Sequence, residues 1–374
     1  MTRPTLDSWL LPEHVFWSFR HVRELLPTAQ VDCASTPRKL NSAIDMGLGA
    51  VEFESSKGVV KVIDFLKSSH SDSFTVVKGE DLKFEWVVDG MKSNEPHLIF
   101  SVTKSVTSML IGALVGEGLI DVDALVTKYV PEVSESGFAG ATVRNLLDMT
   151  ASYSFVEDYT PGPDIIAYRH SVGWYPAPLG SPNLHDFIAS RKSDGEHGQR
   201  FRYMSPTTDL LGWVAEAASG MPYATALSKY VWAKIGTEAP AHITLDRAGS
   251  PRAAGGLSVI PRDMARFGMM IRDGGMNAVD SNYVADVFDN GSHEQWANGD
   301  FKDSYENGIY RSCCYKPGDD PDVVMGIGIH GQMLYIDRPR GVVVAKQSSW
   351  HDPDESADHN DAYLACRAIA RALG

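Results

Sequence analysis

Ser101-Val102-Thr103-Lys104 sets a hydroxyl and an amine three residues apart. At that spacing two side chains share one face of a helix. A lysine beside a serine, once partly desolvated, loses proton affinity and can take the hydroxyl's proton. That pair is the minimum equipment for acyl transfer through serine. The chain holds no second Ser-x-x-Lys, no Gly-x-Ser-x-Gly and no His-Glu-x-x-His, so two competing hydrolase signatures are missing. Taken alone, the tetrad also fits a plain helix N-cap serine followed by a solvated lysine. His351-Asp352-Pro353-Asp354-Glu355, with Asp358 and His359, has the composition of a metal cluster but not the spacing of one, and reads as a solvated acidic loop. His197, between glycines, reads as loop.

The elements that must hold Ser101 are partly legible. Ser73 to Val88 predicts a hairpin: Phe74-Thr75-Val76-Val77 is β-rich, Lys78 to Asp81 is turn-like, and Leu82 to Val88 alternates. A loop through Asn94-Glu95-Pro96 leads into the Ser101 helix. Val102, Val106, Met109, Leu110 and Ala113 recur at helical spacing and should face a core, until Gly116-Glu117-Gly118 stops the helix. Helices are also predicted from Trp17 to Leu26, Thr142 to Asp148, Thr207 to Ala218, Ala224 to Ile235, from Pro261, and from Ala357 to Leu373. Residues 150–200 show little periodicity and read as a long irregular segment, the kind that usually carries function. Ile327 to Ile336 and Val342 to Lys346 read as strands around a turn at residues 337–341. Strands near both ends with helices between them predict one sheet assembled from distant parts of the chain. The sheet domain would comprise residues 1–100 and 245–374, and a mostly helical domain residues 101–244.

Bulk properties narrow the function class. The chain has 374 residues, 43% of them hydrophobic and 22% charged, as in an ordinary globular protein. A net charge of −14 argues against nucleic acid or an anionic membrane as partner. No eighteen-residue apolar stretch predicts a membrane span. The opening Met-Thr-Arg-Pro-Thr-Leu-Asp-Ser-Trp lacks a basic-then-apolar leader, so a cytoplasmic protein is expected. Cys33, Cys313, Cys314 and Cys366 show no Cys-x-x-Cys spacing and read as reduced thiols.

With these elements in order, the pattern resembles the serine hydrolases of the class C β-lactamase and penicillin-binding protein group. The resemblance rests on Ser101 to Lys104, Ser105 to Ser108, Gly116-Glu117-Gly118 and Val143 to Met149. Thr5 to Trp9, Glu157-Asp158-Tyr159, Gly326 to Gln332 and Ser348-Ser349-Trp350 are similar to its 6-aminohexanoate-dimer (nylon-oligomer) hydrolase and carboxylesterase branch. The resemblance implies an α/β fold with a central antiparallel sheet flanked by helices and a mostly helical second domain. It implies Ser101 as nucleophile, Lys104 as base or electrostatic partner, and Tyr203 of Tyr203-Met204-Ser205 as a phenol bonded to the serine. A phenol titrates near pH ~10 in water and needs a nearby cation, here Lys104, to work as a base. A third segment should line the pocket, either as Gly326-Ile327-Gly328 or as His330-Gly331-Gln332. The first is preferred, because it puts glycine where backbone must approach substrate closely. It leaves the amides of Ser101 and Ile329 as the oxyanion hole. Neither register supplies the lysine with which β-lactamases hold a substrate carboxylate.

The resemblance also implies substrate contacts at Tyr159 and Trp174, and two departures. Where a carboxylate would meet a substrate ammonium, this chain has Arg169 or His170. Where an asparagine can favour amides, it has Ala254. A cationic or neutral residue binds a protonated amine poorly. The implied activity is hydrolysis of short-chain esters, and of linear amides such as 6-aminohexanoate oligomers, through an acyl-enzyme, with no metal or cofactor. A homodimer is implied by resemblance only. The alternatives are a β-lactamase or D,D-peptidase, and a catalytically silent binding protein of the same fold.

Overall fold

The computed structural model describes residues 3–158, 162–354 and 356–374. The expected hairpin is formed by Ser71–Lys78 and Asp81–Val87. Its first strand pairs with Val342–Ser348 from the far end of the chain, with Val344 opposite Val76. The resulting eight-stranded sheet runs in the order Ile309–Arg311, Cys314–Lys316, Val323–Gly328, Gln332–Asp337, Val342–Ser348, Ser71–Lys78, Asp81–Val87 and Asn41–Ser42. All neighbours are antiparallel except the last pair, which is parallel. Distant segments thus build one sheet.

Helices cover both faces. In Gln332–Asp337 alternate side chains point to opposite sides. Leu334 and Ile336 meet the Pro261–Arg272 helix. There a Cβ on Gly268 would lie 2.5 Å from Val343 and 2.9 Å from Leu334, so only glycine lets the helix approach this closely. Met333 and Tyr335 meet the closing helix Ser356–Ala372, with Cys366 Sγ 3.9 Å from Met333 Sδ. A strand covered on both faces loses the apolar-polar alternation of a half-exposed one.

The Val102–Gly116 helix lies on the same side as Pro261–Arg272, close to the Gly326 backbone. Every residue from Val102 to Leu114 is buried, not only the stripe expected from periodicity. Its polar side chains are paired, as burial requires. Ser105 donates to Cys313 O (2.8 Å), Thr107 donates to Ala253 O (2.7 Å), and Ser108 and Tyr283 share a hydrogen bond (2.8 Å). The Thr142 helix starts as expected, with Thr142 and Asn145 forming a reciprocal cap.

Other expectations need correction. Ile327 to Ile336 is not one strand. The chain turns at Ile329–Gly331, where His330 has φ 57° and Gly331 φ 85°. A left-handed histidine carries no sequence signal of a turn. Residues 150–200 are not simply irregular: Pro163–Ser171 and Leu184–Ala189 are helices. Each is short and buries one narrow face, too little to establish a period. The Trp17–Leu26 helix reduces to Val15–Ser18 and a 3-10 turn at Val22–Glu24. Tyr223–Leu227 continues into a π-helical turn at Ser228–Trp232. All four cysteines are free thiols. Among the described residues, no helix is long and apolar enough to cross a membrane.

Candidate active site

A second, four-stranded sheet delivers Ser101 to its place. Its strands are Thr28–Val31, Ala241–Thr244, Leu257–Val259 and His97–Leu98. From the last strand, Ile99 donates its amide to Leu257 O (2.9 Å), and Phe100 then takes φ 43°. A left-handed phenylalanine is strained by roughly 1–3 kcal/mol and persists only where packing enforces it. Phe100 is wedged edge-on against Phe19 (4.7 Å) and Trp174 (5.9 Å). The sharp turn leaves Ser101 at the head of the helix. Its side chain makes no capping bond. The ordinary N-cap role is therefore not the one this hydroxyl fills.

One helical turn on, Lys104 is buried. Its Nζ donates to Ser101 Oγ (2.8 Å) and to Ala254 O (2.9 Å). Tyr203 arrives from the residues just before the Ser205–Ser219 helix, with its amide fixed on Asp300 (2.8 Å). Its phenol is a near neighbour of the Ser101 hydroxyl, and Lys104 Nζ stands 4.8 Å from its ring centre. The three expected groups therefore meet.

Their electrostatics differ. Burial pushes Lys104 down to about 8, against the pull of Glu157; Arg252 pushes it the same way as burial. Burial pushes Tyr203 well above the usual phenol range, and the Glu157 carboxylate pushes it further. A buried carboxylate network supports the lysine. Asp209 accepts from the Ala254 amide (2.8 Å), from Arg252 Nη1 (2.6 Å) and from the Tyr168 hydroxyl. It thereby holds the carbonyl that Lys104 bonds. Glu157 accepts from both the amide and the hydroxyl of Ser205. Sequence spacing gave no sign of Asp209, Arg252 or Glu157 as members of this site.

The third segment passes the helix at close range. A Cβ on Gly326 would lie 3.0 Å from Ser105 Oγ, and one on Gly328 would lie 2.8 Å from Ile99 O and 3.1 Å from Ser101 N. Both glycines are needed for this approach. Ser101 heads a helix and Ile329 heads the following turn, where first N–H groups lack intrahelical acceptors. The turn is pinned from beneath. Lys346 donates to Gly331 O (3.0 Å) and to the Ser348 hydroxyl, and Gln332 donates to His330 O (3.0 Å) and Ser348 O (2.7 Å). His330 bonds Trp350 O through Nδ1 (2.7 Å), and burial lowers it to about 4, so the ring is neutral.

Two cavities lie at these groups, one lined by Ser101 and the other by Tyr203. One of about 190 Å³ is lined by Ser101, Ile329, His330, Trp174 and Arg169 among others. The other, of about 630 Å³, is lined by Tyr203, Gly328, Ile329, Phe301 and Tyr305 among others. Of the alternative pair, Arg169 lines the first cavity, and His170 is not on its wall. Trp174 is both wall and core: its Nε1 donates to Thr244 Oγ1 (3.2 Å) and it meets Trp9 edge-on. Ala254 lines neither cavity and meets Lys104 through its carbonyl. Tyr159 lies outside the described residues. His197 ties loops together, accepting from the Ser152 amide (2.9 Å). Among the described residues, no group of three or more His, Cys, Asp or Glu is placed to hold a metal ion.

Known proteins resemble this chain along most of its length. The family model described as β-lactamase matches residues 63–368. The chain is 35% identical over 376 aligned positions to 6-aminohexanoate-dimer hydrolase of Paenarthrobacter ureafaciens, covering 99% of this chain and 94% of that one. Among solved structures it resembles a Bacillus anthracis protein provisionally named 6-aminohexanoate-dimer hydrolase. That match has a TM-score of 0.88 and 24% identity, covering 99% of this chain and 97% of the other. A D-stereospecific amidohydrolase from Streptomyces sp. shares the fold at a TM-score of 0.60 and 19% identity, covering 80% and 97%. This chain belongs to the β-lactamase family of serine hydrolases.

Proposed function

We propose that the protein hydrolyses short-chain carboxylic esters, and linear amides more slowly, through an acyl-enzyme on Ser101. The observation that carries this reading is the 2.8 Å contact between Ser101 Oγ and Lys104 Nζ on the wall of an open cavity. A lysine held near 8 is neutral in about a tenth of molecules at pH 7. In that form the nitrogen takes the serine proton along the same line as Oγ attacks the carbonyl. The phenol of Tyr203 is too weak an acid to serve as the resting base. It works as a donor, passing a proton to the leaving group and being refilled from Lys104. The Ser101 and Ile329 amides face the developing oxyanion, each worth roughly 3 kcal/mol. Water then enters by the same route and releases the acid.

Ester preference follows from Arg169, a cation where a protonated amine would have to sit. Activity on 6-aminohexanoate dimer is accordingly low. A β-lactamase reading has less support, because Gly326, Ile327 and Gly328 present no cation to a substrate carboxylate. Steady-state kinetics on p-nitrophenyl butyrate, for wild type and Ser101→Ala, test the proposal. A rate surviving the substitution would remove it.

A further inference from the structure

Arg169 is the charged group of the smaller cavity that the mechanism leaves unused. It projects from the Pro163–Ser171 helix and lines the cavity that Ser101 lines. Its Nη1 donates to the Tyr175 hydroxyl (2.8 Å), and its guanidinium lies 5.1 Å from that ring's centre. No carboxylate among the described residues forms an ion pair with it. Every other charge on this wall is engaged. Arg252 is paired with Asp209 (2.6 Å), and the two carboxylate oxygens of Glu157 accept from Ser205. His330 is kept neutral by burial, and the Arg169 charge adds to that effect. The same cavity is also lined by the apolar side chains of Phe100, Ile165, Val172 and Trp174.

The two cavities also assign the two halves of a substrate. The phenol that would protonate the leaving group lines the larger cavity and not the smaller one. The leaving group therefore departs into the larger cavity, and the acyl half occupies the smaller. A volume of about 190 Å³ corresponds to about six water-sized volumes, enough for a short methylene chain and a small head group.

We infer that the acyl half of the preferred substrate ends in an anion, a carboxylate bound by Arg169, so that the enzyme is selective for half-esters or half-amides of short dicarboxylic acids. This rests on the acyl-enzyme reading given above. A guanidinium with two donors free for a carboxylate gains a charge-assisted, directional bond. An ammonium at the same place meets like charge. A methyl group leaves the guanidinium unpaired.

The test uses three p-nitrophenyl esters with the same leaving group and six-carbon acyl chains: mono-p-nitrophenyl adipate, p-nitrophenyl hexanoate and p-nitrophenyl 6-aminohexanoate. Wild type should prefer them in that order, with kcat/KM for the adipate about tenfold or more above the hexanoate. Arg169→Gln should erase that advantage mainly through KM, so that the adipate and hexanoate esters are cleaved with similar kcat/KM. Arg169→Glu should move the preference to the aminohexanoate ester. An unchanged order in Arg169→Gln, or a wild type that favours the ammonium or the methyl chain, overturns the inference while leaving the acyl-enzyme reading intact. If none of the three esters is cleaved, the acyl-enzyme reading fails and this inference fails with it.

Discussion

Gly328→Ala isolates the close approach on which the oxyanion site depends. Gly328 has φ −133° and ψ 147°, which alanine adopts freely, so the substitution costs nothing in backbone conformation. The cost is steric. The new methyl would stand 2.8 Å from Ile99 O, 3.0 Å from Gln332 Cβ and 3.1 Å from Ser101 N. Ordinary contact lies near 3.5 Å, so strand and helix must part by about 0.5 Å. Two of the three obstacles are backbone atoms and cannot swing aside. Oxyanion donors work within about 2.7–3.1 Å, so this displacement removes one of them. Losing one donor costs roughly 3 kcal/mol, a fall of about 10²–10³ in kcat. KM should change little, because the donor acts on the transition state. Overpacking should lower stability by about 1–3 kcal/mol, which a thermal melt will register as a folded but weakened protein. Steady-state kinetics on p-nitrophenyl butyrate read the result. A folded variant with kcat within threefold of wild type would refute the reasoning.

Three further outcomes are expected. Because Lys104 must be neutral to accept a proton and is held near 8, kcat/KM should rise about tenfold per pH unit below that value and level off above it; a profile flat from pH 6 to 9 would contradict its role as base. Asp209→Asn removes the buried carboxylate paired with Arg252, which should cost about 3–5 kcal/mol in denaturant unfolding. It also removes a charge that raises Lys104, so the rising limb of the pH profile should move to lower pH. Lys346 is held near 7 by burial, far below an unfolded lysine. The unfolded chain binds more protons between those two values, so stability should climb from pH 7 towards pH ~10, and Lys346→Met should lose its share of that climb.

The parts of the site that sequence reading reached are those encoded by short spacing. Ser101 and Lys104 are one helical turn apart, so helix periodicity alone brings them together. Tyr203 was implied only by the family resemblance, through Tyr203-Met204-Ser205. The residues that adjust these groups lie scattered. Asp209 acts through the Ala254 amide, Lys346 through the Gly331 carbonyl, and Arg252 through Asp209; no local pattern joins such pairs. The strand break at Ile329–Gly331 was hidden for a different reason. Ile327 to Ile336 reads as one strand because both its ends are rich in β-formers, and a left-handed histidine against the Trp350 carbonyl, followed by the left-handed Gly331, turns it. The hairpin, the Ser101 helix and the closing helix were legible because each is long enough to show its period. The helices of residues 163–171 and 184–189 were not, since two short turns bury too few residues to repeat.

The central claim is that Ser101 is the nucleophile. Intact-mass analysis after treatment with a fluorophosphonate, followed by peptide mapping, tests it without assuming a substrate. The account requires a single adduct on Ser101, absent in Ser101→Ala and slowed in a folded Lys104→Met. An unlabelled wild type, or an adduct on any other residue, would contradict it.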